Sequence, residues 1–259
     1  MALNQAQASS REQFQKQSAN YGKSHILADV ADVAEAYSHV ALASPGRALD
    51  IATGGGHTAL FLAEKGFQVT ASDITPAMLE NTAALAAERG LKLETALHTA
   101  EDLPYPDARF DLVTCRVAAH HFSDPARFVQ ESARVLAPGG YFLLIDGSVP
   151  DGETEAEEWI HQIEKFRDPS HGRFVTPGNW SRICEEAGLE VVSCTTTPMK
   201  QPDVEWYFQT AATSEENRAR VREIIRTAPE SARRVFSLDD SGDKVTWWWP
   251  RLALIARKP

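Results

Sequence analysis

The segment from Arg47 to Ala63, RALDIATGGGHTALFLA, constrains the fold of this chain more than any other. A short apolar run ends at an acid, passes through three glycines and continues with helical periodicity, which predicts a strand, a tight loop and a helix. Glycine tolerates positive φ and lets a ligand approach bare backbone at a helix start. The segment therefore indicates a nucleotide-binding turn, although an ordinary strand-to-helix turn has the same general pattern.

The same alternation of strand and helix continues along the chain. After the opening unit, the apolar runs that predict strands are 67–72 followed by Asp73, 91–97, 110–116 and 141–146, and helices are expected between them. Pro76 and Pro125 stand where proline favours a helix start. This order predicts a Rossmann-like α/β fold, a doubly wound and mostly parallel sheet whose ligand lies beyond the carboxyl ends of the strands.

The predicted domain is single and covers residues 1–259. Its parts are N-terminal helices in 1–44 that form a lid, a cofactor-binding core in 45–200 with an insertion at 147–187, a cap insertion at 201–245, and a last, antiparallel strand in 246–259. Within the first part, helices are expected around 11–19 and continuously over 25–42, because apolar residues recur there at intervals of three and four. A cap over the site is the expected use of the insertion at 201–245.

Composition limits the partners. The chain of 259 residues has 26 basic and 36 acidic residues, a formal charge of −10, and no long basic run, so a nucleic-acid surface is not expected. Cys115, Cys184 and Cys194 are too scattered for a disulfide framework or a thiolate metal site, and no metal is predicted. No signal peptide or membrane span is recognisable, so the expected location is the cytoplasm. Monomer and homodimer both remain open.

The glycine loop alone does not identify the nucleotide. Gly54, Gly56 and Ala59 fit the G-x-G-x-x-G/A dinucleotide pattern, and Asp73 follows at the distance of a ribose-binding acid, so NAD is one candidate. Asp50, however, stands where its charge would face a pyrophosphate. An acid at this point favours a ligand with an ammonium or sulfonium group.

Five motifs occur in the order LDIATGGGH, SDITPAML, AEDLPY, FDLVTC and RVLAPGG. With them, residues 14–196 resemble the class I S-adenosylmethionine-dependent methyltransferases, specifically the small-molecule branch that includes the ubiquinone and menaquinone biosynthesis enzymes. The resemblance implies S-adenosylmethionine as cofactor. It also implies a set of cofactor-binding residues, which are Tyr21, Asp50, Ala52, Gly54, Gly56, Asp73, Ile74, Met78, Thr99, Ala100, Glu101 and Arg116.

Within this set, the resemblance implies that Asp50 helps to hold the amino group of the methionine moiety and that Asp73 accepts from the ribose hydroxyls. Two positions depart from the family pattern. Ala52 replaces the usual first glycine, and Thr99 replaces an acid that often accepts from the adenine amino group, so that contact passes to Glu101 or to the backbone. Tyr21 matches a lid tyrosine of related enzymes, with core packing as the alternative.

Catalytic and substrate residues are less marked in the sequence. His120 and His121 follow the fourth strand, where a histidine base or a substrate contact is expected, and hydrogen bonding at the neighbouring helix start is the alternative. Arg167, His171 and Trp206 are the candidate substrate contacts, although Arg167 could equally fix its own loop. The tryptophans of 247–249 are expected to pack within a strand.

Three functions follow from these observations. The first is S-adenosylmethionine-dependent methyl transfer to a small organic acceptor. The others are an NAD-dependent oxidoreductase and a non-catalytic or repurposed S-adenosylmethionine-binding protein, because one fold hosts many functions.

Overall fold

The centre of the molecule is a seven-stranded sheet, seen in a computed structural model that describes residues 3–21 and 25–259. Its strand order is β3-β2-β1-β4-β5-β7-β6. The strands are β1 (Arg47–Ile51), β2 (Gln68–Asp73), β3 (Glu94–Leu97), β4 (Phe110–Arg116), β5 (Leu136–Gly147), β6 (Glu190–Lys200) and β7 (Trp248–Arg257). β7 is antiparallel to both of its neighbours, whereas β1 to β5 pair in parallel. The predicted Rossmann-like fold with an antiparallel last strand is confirmed.

Alternate residues of the strands supply two separate cores, as expected for a sheet covered on both faces. Leu49 and Ile51 of β1 face one core, and Ala48, which precedes Leu49, faces the other. The first core includes residues of α6 (Pro125–Val135) and α8 (Pro177–Glu186), and the second includes residues of α3 (Ala31–Tyr37) and α4 (His57–Glu64). A further helix, α5 (Pro76–Glu88), packs beside β2 and β3.

The N-terminal segment forms the helices α1 (Gln5–Tyr21), α2 (His25–Ala28) and α3. The predicted continuous helix over 25–42 is wrong, because residues 29 and 30 are not helical and separate α2 from α3. The Asp29 side chain accepts from the N–H of Ala31 at 2.9 Å, and Arg116 donates to the carbonyl oxygens of Leu27 and Asp29 at 2.7 and 2.6 Å. These bonds compete with the helical ones, so the turn replaces a helix that periodicity alone favoured.

The two insertions form one cap with its own apolar core. Its helices are α7 (Thr154–Arg167), α9 (Val204–Ala211), α10 (Glu215–Arg226) and α11 (Glu230–Val235). Side chains from all four helices pack together in this core and are only 0–6% exposed. Trp159, Tyr207 and Phe236, the residue after α11, are among the largest. Within residues 3–21 and 25–259, no helix is long and apolar enough to cross a membrane.

Candidate active site

The loop after β1 has backbone conformations that favour glycine. Gly54 and Gly56 have φ of 54° and 83°, and Ala52 has φ of 53°, in the left-handed region. A Cβ on Gly56 would lie 2.7 Å from Cγ2 of Thr82, whereas one on Gly54 would meet no atom within 4 Å. Gly54 therefore presents bare backbone to open space, and the strained φ of Ala52 explains why related enzymes place glycine there.

Two carboxylates flank this loop in different ways. Asp73, at the end of β2, accepts from the N–H groups of Thr75 and Gly54 at 2.8 and 3.0 Å, and burial raises its pKa. Asp50 accepts from the hydroxyls of Thr53 and Thr114 at 2.6 and 2.7 Å, and burial raises its pKa to about 6. Each of its carboxylate oxygens thus already accepts from a hydroxyl of the protein.

A first cavity of about 930 Å³ opens beyond the carboxyl ends of β1, β2 and β4. Nine of the predicted cofactor-binding residues line it, namely Ala52, Gly54, Asp73, Ile74, Met78, Thr99, Ala100, Glu101 and Arg116. Asp50 and Gly56 line neither this cavity nor the second one, so their contact with the ligand stays a prediction. The side chain of Tyr21 lies outside the described residues.

Glu101 and Arg116 hold the N-terminal helices against the cavity. Glu101 accepts from the N–H and hydroxyl of Ser123 at 2.9 and 2.8 Å and from the amide of Gln7 in α1 at 3.1 Å. Arg116 pairs with Asp32 at 2.9 Å in addition to its bonds to two carbonyl oxygens. Their polar groups are already bonded within the protein, so their first role is to position the lid.

A second cavity of about 1,010 Å³ lies between the sheet and the cap. Of the predicted catalytic and substrate residues, His120, His121, Arg167 and Trp206 line it. Three elements, α1, α9 and β7, supply its aromatic walls, which are Phe14, Trp206, Tyr207 and Trp249. Trp249 corrects the expectation that the tryptophan run only packs, whereas Trp247 is fully buried.

The two cavities share one wall, formed by Phe14, Leu27, Val117 and His121. Phe14 of α1 packs edge-on against His121, with ring centroids 4.9 Å apart. Val117 has φ of 53°, which is uncommon for a branched residue and costs roughly 1–2 kcal/mol relative to its favoured conformations. Such strain concentrates at functional sites, and here it places a side chain where the two cavities meet.

His120 is oriented by a buried acid, Asp146 at the end of β5. Nδ1 of His120 lies 2.6 Å from Oδ1 of Asp146, and the backbone N–H of His120 donates to Oδ2 at 2.8 Å. Burial alone would lower the pKa of this imidazole, but the bond to Asp146 and its charge, with Glu164 and Asp168 nearby, raise it. Sequence reasoning did not find Asp146, although an acid at the end of a strand was the available signal.

His121 differs from its neighbour. Its Nδ1 lies 3.2 Å from the carbonyl oxygen of Ser170, which accepts only, so Nδ1 carries the proton of the neutral ring. Burial and the adjacent His120 lower its pKa to about 4. At neutral pH it is an uncharged part of the shared wall.

Arg167 reaches the second cavity but is tightly held by the cap. Its Nη1 lies 3.1 Å from the buried carboxylate of Glu164, and its guanidinium stacks 4.0 Å from the ring centre of Tyr207. His171 lines neither cavity and is 1% exposed, so its predicted contact with the substrate stays a prediction. Burial lowers the pKa of His171 well below its usual value.

Comparison with known proteins agrees with this geometry. A family model for a methyltransferase domain matches residues 49–144. An uncharacterized methyltransferase of Bacillus subtilis, YcgJ, is 36% identical over 171 residues, which cover 66% of this chain and 67% of that protein. The demethylmenaquinone methyltransferase of Deinococcus radiodurans is 40% identical over 122 residues, 46% of this chain and 49% of that protein.

The crystal structure of a Bacillus halodurans protein assigned as a methyltransferase superposes with a TM-score of 0.83 and 32% identity, covering 88% of this chain and 99% of that one. The chain belongs to the class I S-adenosylmethionine-dependent methyltransferases. Across the part of the chain that the structure describes, no three His, Cys, Asp or Glu side chains are placed to hold a metal ion.

Proposed function

We propose that the protein transfers a methyl group from S-adenosylmethionine to a small organic acceptor bound in the second cavity. The observation that carries this proposal is the wall of Phe14, Leu27, Val117 and His121 that the two cavities share. A methyl donor in one cavity and an acceptor in the other would meet there. Because methyl transfer is an in-line displacement, holding both partners at such a junction supplies much of the rate.

The residues of the first cavity fit the cofactor. Asp73 offers a buried carboxylate at the end of β2 for ribose hydroxyls, and Gly54 leaves its backbone open to the cavity. Ile74 and Met78 supply apolar surface beside them for the adenine ring. When bound, the cofactor supplies an electrophilic methyl group on a sulfonium centre.

His120 is the proposed proton acceptor when the acceptor must lose a proton. Asp146 engages Nδ1, which leaves Nε2 as the basic nitrogen, and the imidazole lies on the second cavity. The raised pKa makes this ring a stronger base than His121, whose pKa is about 4. As the acceptor bonds to the methyl carbon, the carbon–sulfur bond would break and neutral S-adenosylhomocysteine would leave. The acceptor proton would move to Nε2, and Asp146 would stabilise the resulting imidazolium charge.

The two alternative functions make different predictions about ligands. An NAD-dependent oxidoreductase would bind NAD in the first cavity. A repurposed protein would bind S-adenosylmethionine without transferring its methyl group. The second cavity beside His120 favours transfer over simple binding, because a binding protein has no need of an oriented base there.

A thermal-shift series with S-adenosylhomocysteine, S-adenosylmethionine and NAD tests the cofactor. We expect both sulfur nucleotides to raise the melting temperature and NAD to leave it unchanged, and stabilisation by NAD alone would contradict the proposal. Incubation with methyl-labelled cofactor and the low-mass fraction of cell extracts then tests transfer. A labelled small molecule is expected with the wild type and less of it with His120→Ala, whereas cofactor binding without any labelled product would favour the repurposed protein.

A further inference from the structure

Two arginine side chains share one carboxylate beside the second cavity. Asp32 lies 2.9 Å from Nη2 of Arg116 through Oδ1, and its Oδ2 also accepts from Nη1 of Arg251. The side chains of Arg116, Arg251 and Asp32 are 6%, 13% and 17% exposed. Two guanidinium groups therefore share one directly bonded carboxylate in a poorly hydrated place, and the charge of Asp146 also favours the cation of Arg251. An anionic group of a ligand that bonds directly to a guanidinium here would be stabilised by both cations.

Arg251 is the member of this pair with hydrogen-bonding capacity to spare. Arg116 also donates to the carbonyl oxygens of Leu27 and Asp29. Among the described residues, the guanidinium of Arg251 hydrogen-bonds to the carboxylate of Asp32 and the sulfur of Met199 only. A guanidinium carries five N–H donors, so several of those on Arg251 remain for a ligand.

The positive charge of Arg251 lies at the cavity that we propose for the methyl acceptor. Arg251 lines the second cavity and not the first, whereas Arg116 lines the first. Burial, with the charge of Arg116 adding to it, lowers the pKa of the Arg251 guanidinium despite its bond to Asp32. The other charged groups on this cavity are already engaged, since Arg167 pairs with Glu164 and Asp168 accepts from Ser170.

Aromatic surface lies next to this guanidinium. Trp249 and Arg251 are two residues apart on β7, so their side chains project from the same face of the strand. Trp206 and Tyr207 of α9 and Phe14 of α1 line the same cavity. Planar apolar walls with a single available cation favour a planar ligand that carries one negative charge.

We propose that the methyl acceptor is an aromatic carboxylate whose carboxylate group binds the guanidinium of Arg251. This inference rests on the proposed function and specifies its substrate class. A carboxylate supplies a negative charge that bonds directly to Arg251, and its two oxygens match the fork of a guanidinium. The ring then lies among the tryptophans, with its reactive group directed at His120 and the shared wall.

The test uses protein that is saturated with S-adenosylhomocysteine and labelled with 5-fluorotryptophan. The ¹⁹F resonances of Trp206 and Trp249 are assigned with the variants Trp206→Phe and Trp249→Phe. Hydroxybenzoates and hydroxynaphthoates are titrated beside their neutral carboxamides, and ¹⁹F shifts report binding. We expect carboxylates to bind about tenfold or more tightly than the matching carboxamides. Arg251→Met is expected to abolish this preference and Arg251→Lys to retain part of it, because the charge remains without the fork.

Arg257→Met is the control, since Arg257 is an exposed arginine on the same strand and lines neither cavity. It should keep the full preference. Equal affinity for carboxylates and carboxamides, or no shift of either tryptophan with any compound, would overturn the inference. A loss of S-adenosylhomocysteine affinity in Arg251→Met with acceptor preference intact would also overturn it, because the arginine would then serve the cofactor. Failure of the wild type to bind S-adenosylhomocysteine would instead contradict the proposed function.

Discussion

Replacing Asp146 with asparagine tests the proposed base without knowledge of the acceptor. The carboxylate accepts three hydrogen bonds, from Nδ1 of His120 at 2.6 Å and from the N–H groups of His120 and Gly147, each at 2.8 Å. Asparagine has one oxygen for these donors, and its NH₂ would face the backbone N–H of His120. Leaving that buried donor unsatisfied costs about 1–3 kcal/mol of unfolding free energy.

The same change removes the negative charge beside the imidazole. An opposite charge this close shifts a pKa by about 1–3 units, so we expect the pKa of His120 to fall by that amount in Asp146→Asn. Because the folded pKa of His120 is raised in the wild type, its stabilising contribution is complete below the unfolded value of about 6.5 and is lost as pH rises through the folded value. The stability difference between wild type and variant should therefore be smallest at alkaline pH and grow as pH falls.

Two measurements check these expectations. Heteronuclear NMR titration of the histidine rings gives the pKa of His120, and urea unfolding at several pH values gives the stability difference. His98 is the internal control, because its ring bonds to Thr99 and Tyr105 and should titrate identically in both proteins. An unchanged pKa of His120, or a stability difference that shrinks as pH falls, would refute the role of Asp146.

Further substitutions probe the loop and the shared wall. Gly56→Ala should lower the free energy of unfolding in urea by roughly 1–3 kcal/mol, because the new Cβ would lie 2.7 Å from Thr82. Gly188 has φ of 81° but open space around it, so Gly188→Ala should lower this free energy by only about 1 kcal/mol. Equal losses in the two variants would contradict the steric argument. Val117→Gly relieves a positive φ at a roughly similar entropic cost, so its unfolding free energy should stay within about 1 kcal/mol of wild type, and a loss above about 3 kcal/mol would be inconsistent with strain. Asp73→Ala should weaken S-adenosylhomocysteine binding by about 1–3 kcal/mol in calorimetry, and unchanged affinity would remove this acid from the site.

The sheet and the first cavity were largely predictable from sequence, because their signals are local. The alternation of strands and helices fixes which residues end parallel strands, and such ends meet at one edge. Asp73 is the last residue of β2, and Gly54 lies in the loop after β1, so neighbouring strands bring both to one cavity. The hydrogen bond that Thr114 donates to Asp50 comes from the adjacent strand, and the local sequence does not predict it.

The second cavity depends on contacts between distant parts of the chain. Arg116 breaks the N-terminal helix through bonds to residues 27 and 29, which helical periodicity does not reveal. Trp249 and Arg251 line the cavity only because β7 is placed between β5 and β6 below the cap. Asp146 similarly gains its partner through the turn that follows β4. These pairings follow from tertiary packing, which no short segment specifies.

A crystal structure of the complex with S-adenosylhomocysteine tests the central claim most directly. We predict that the nucleoside occupies the first cavity, with its ribose hydroxyls on Asp73, and that the sulfur faces the wall of Phe14, Leu27, Val117 and His121. A sulfur atom directed away from that wall, with no path to the second cavity, would contradict methyl transfer at the junction of the two cavities.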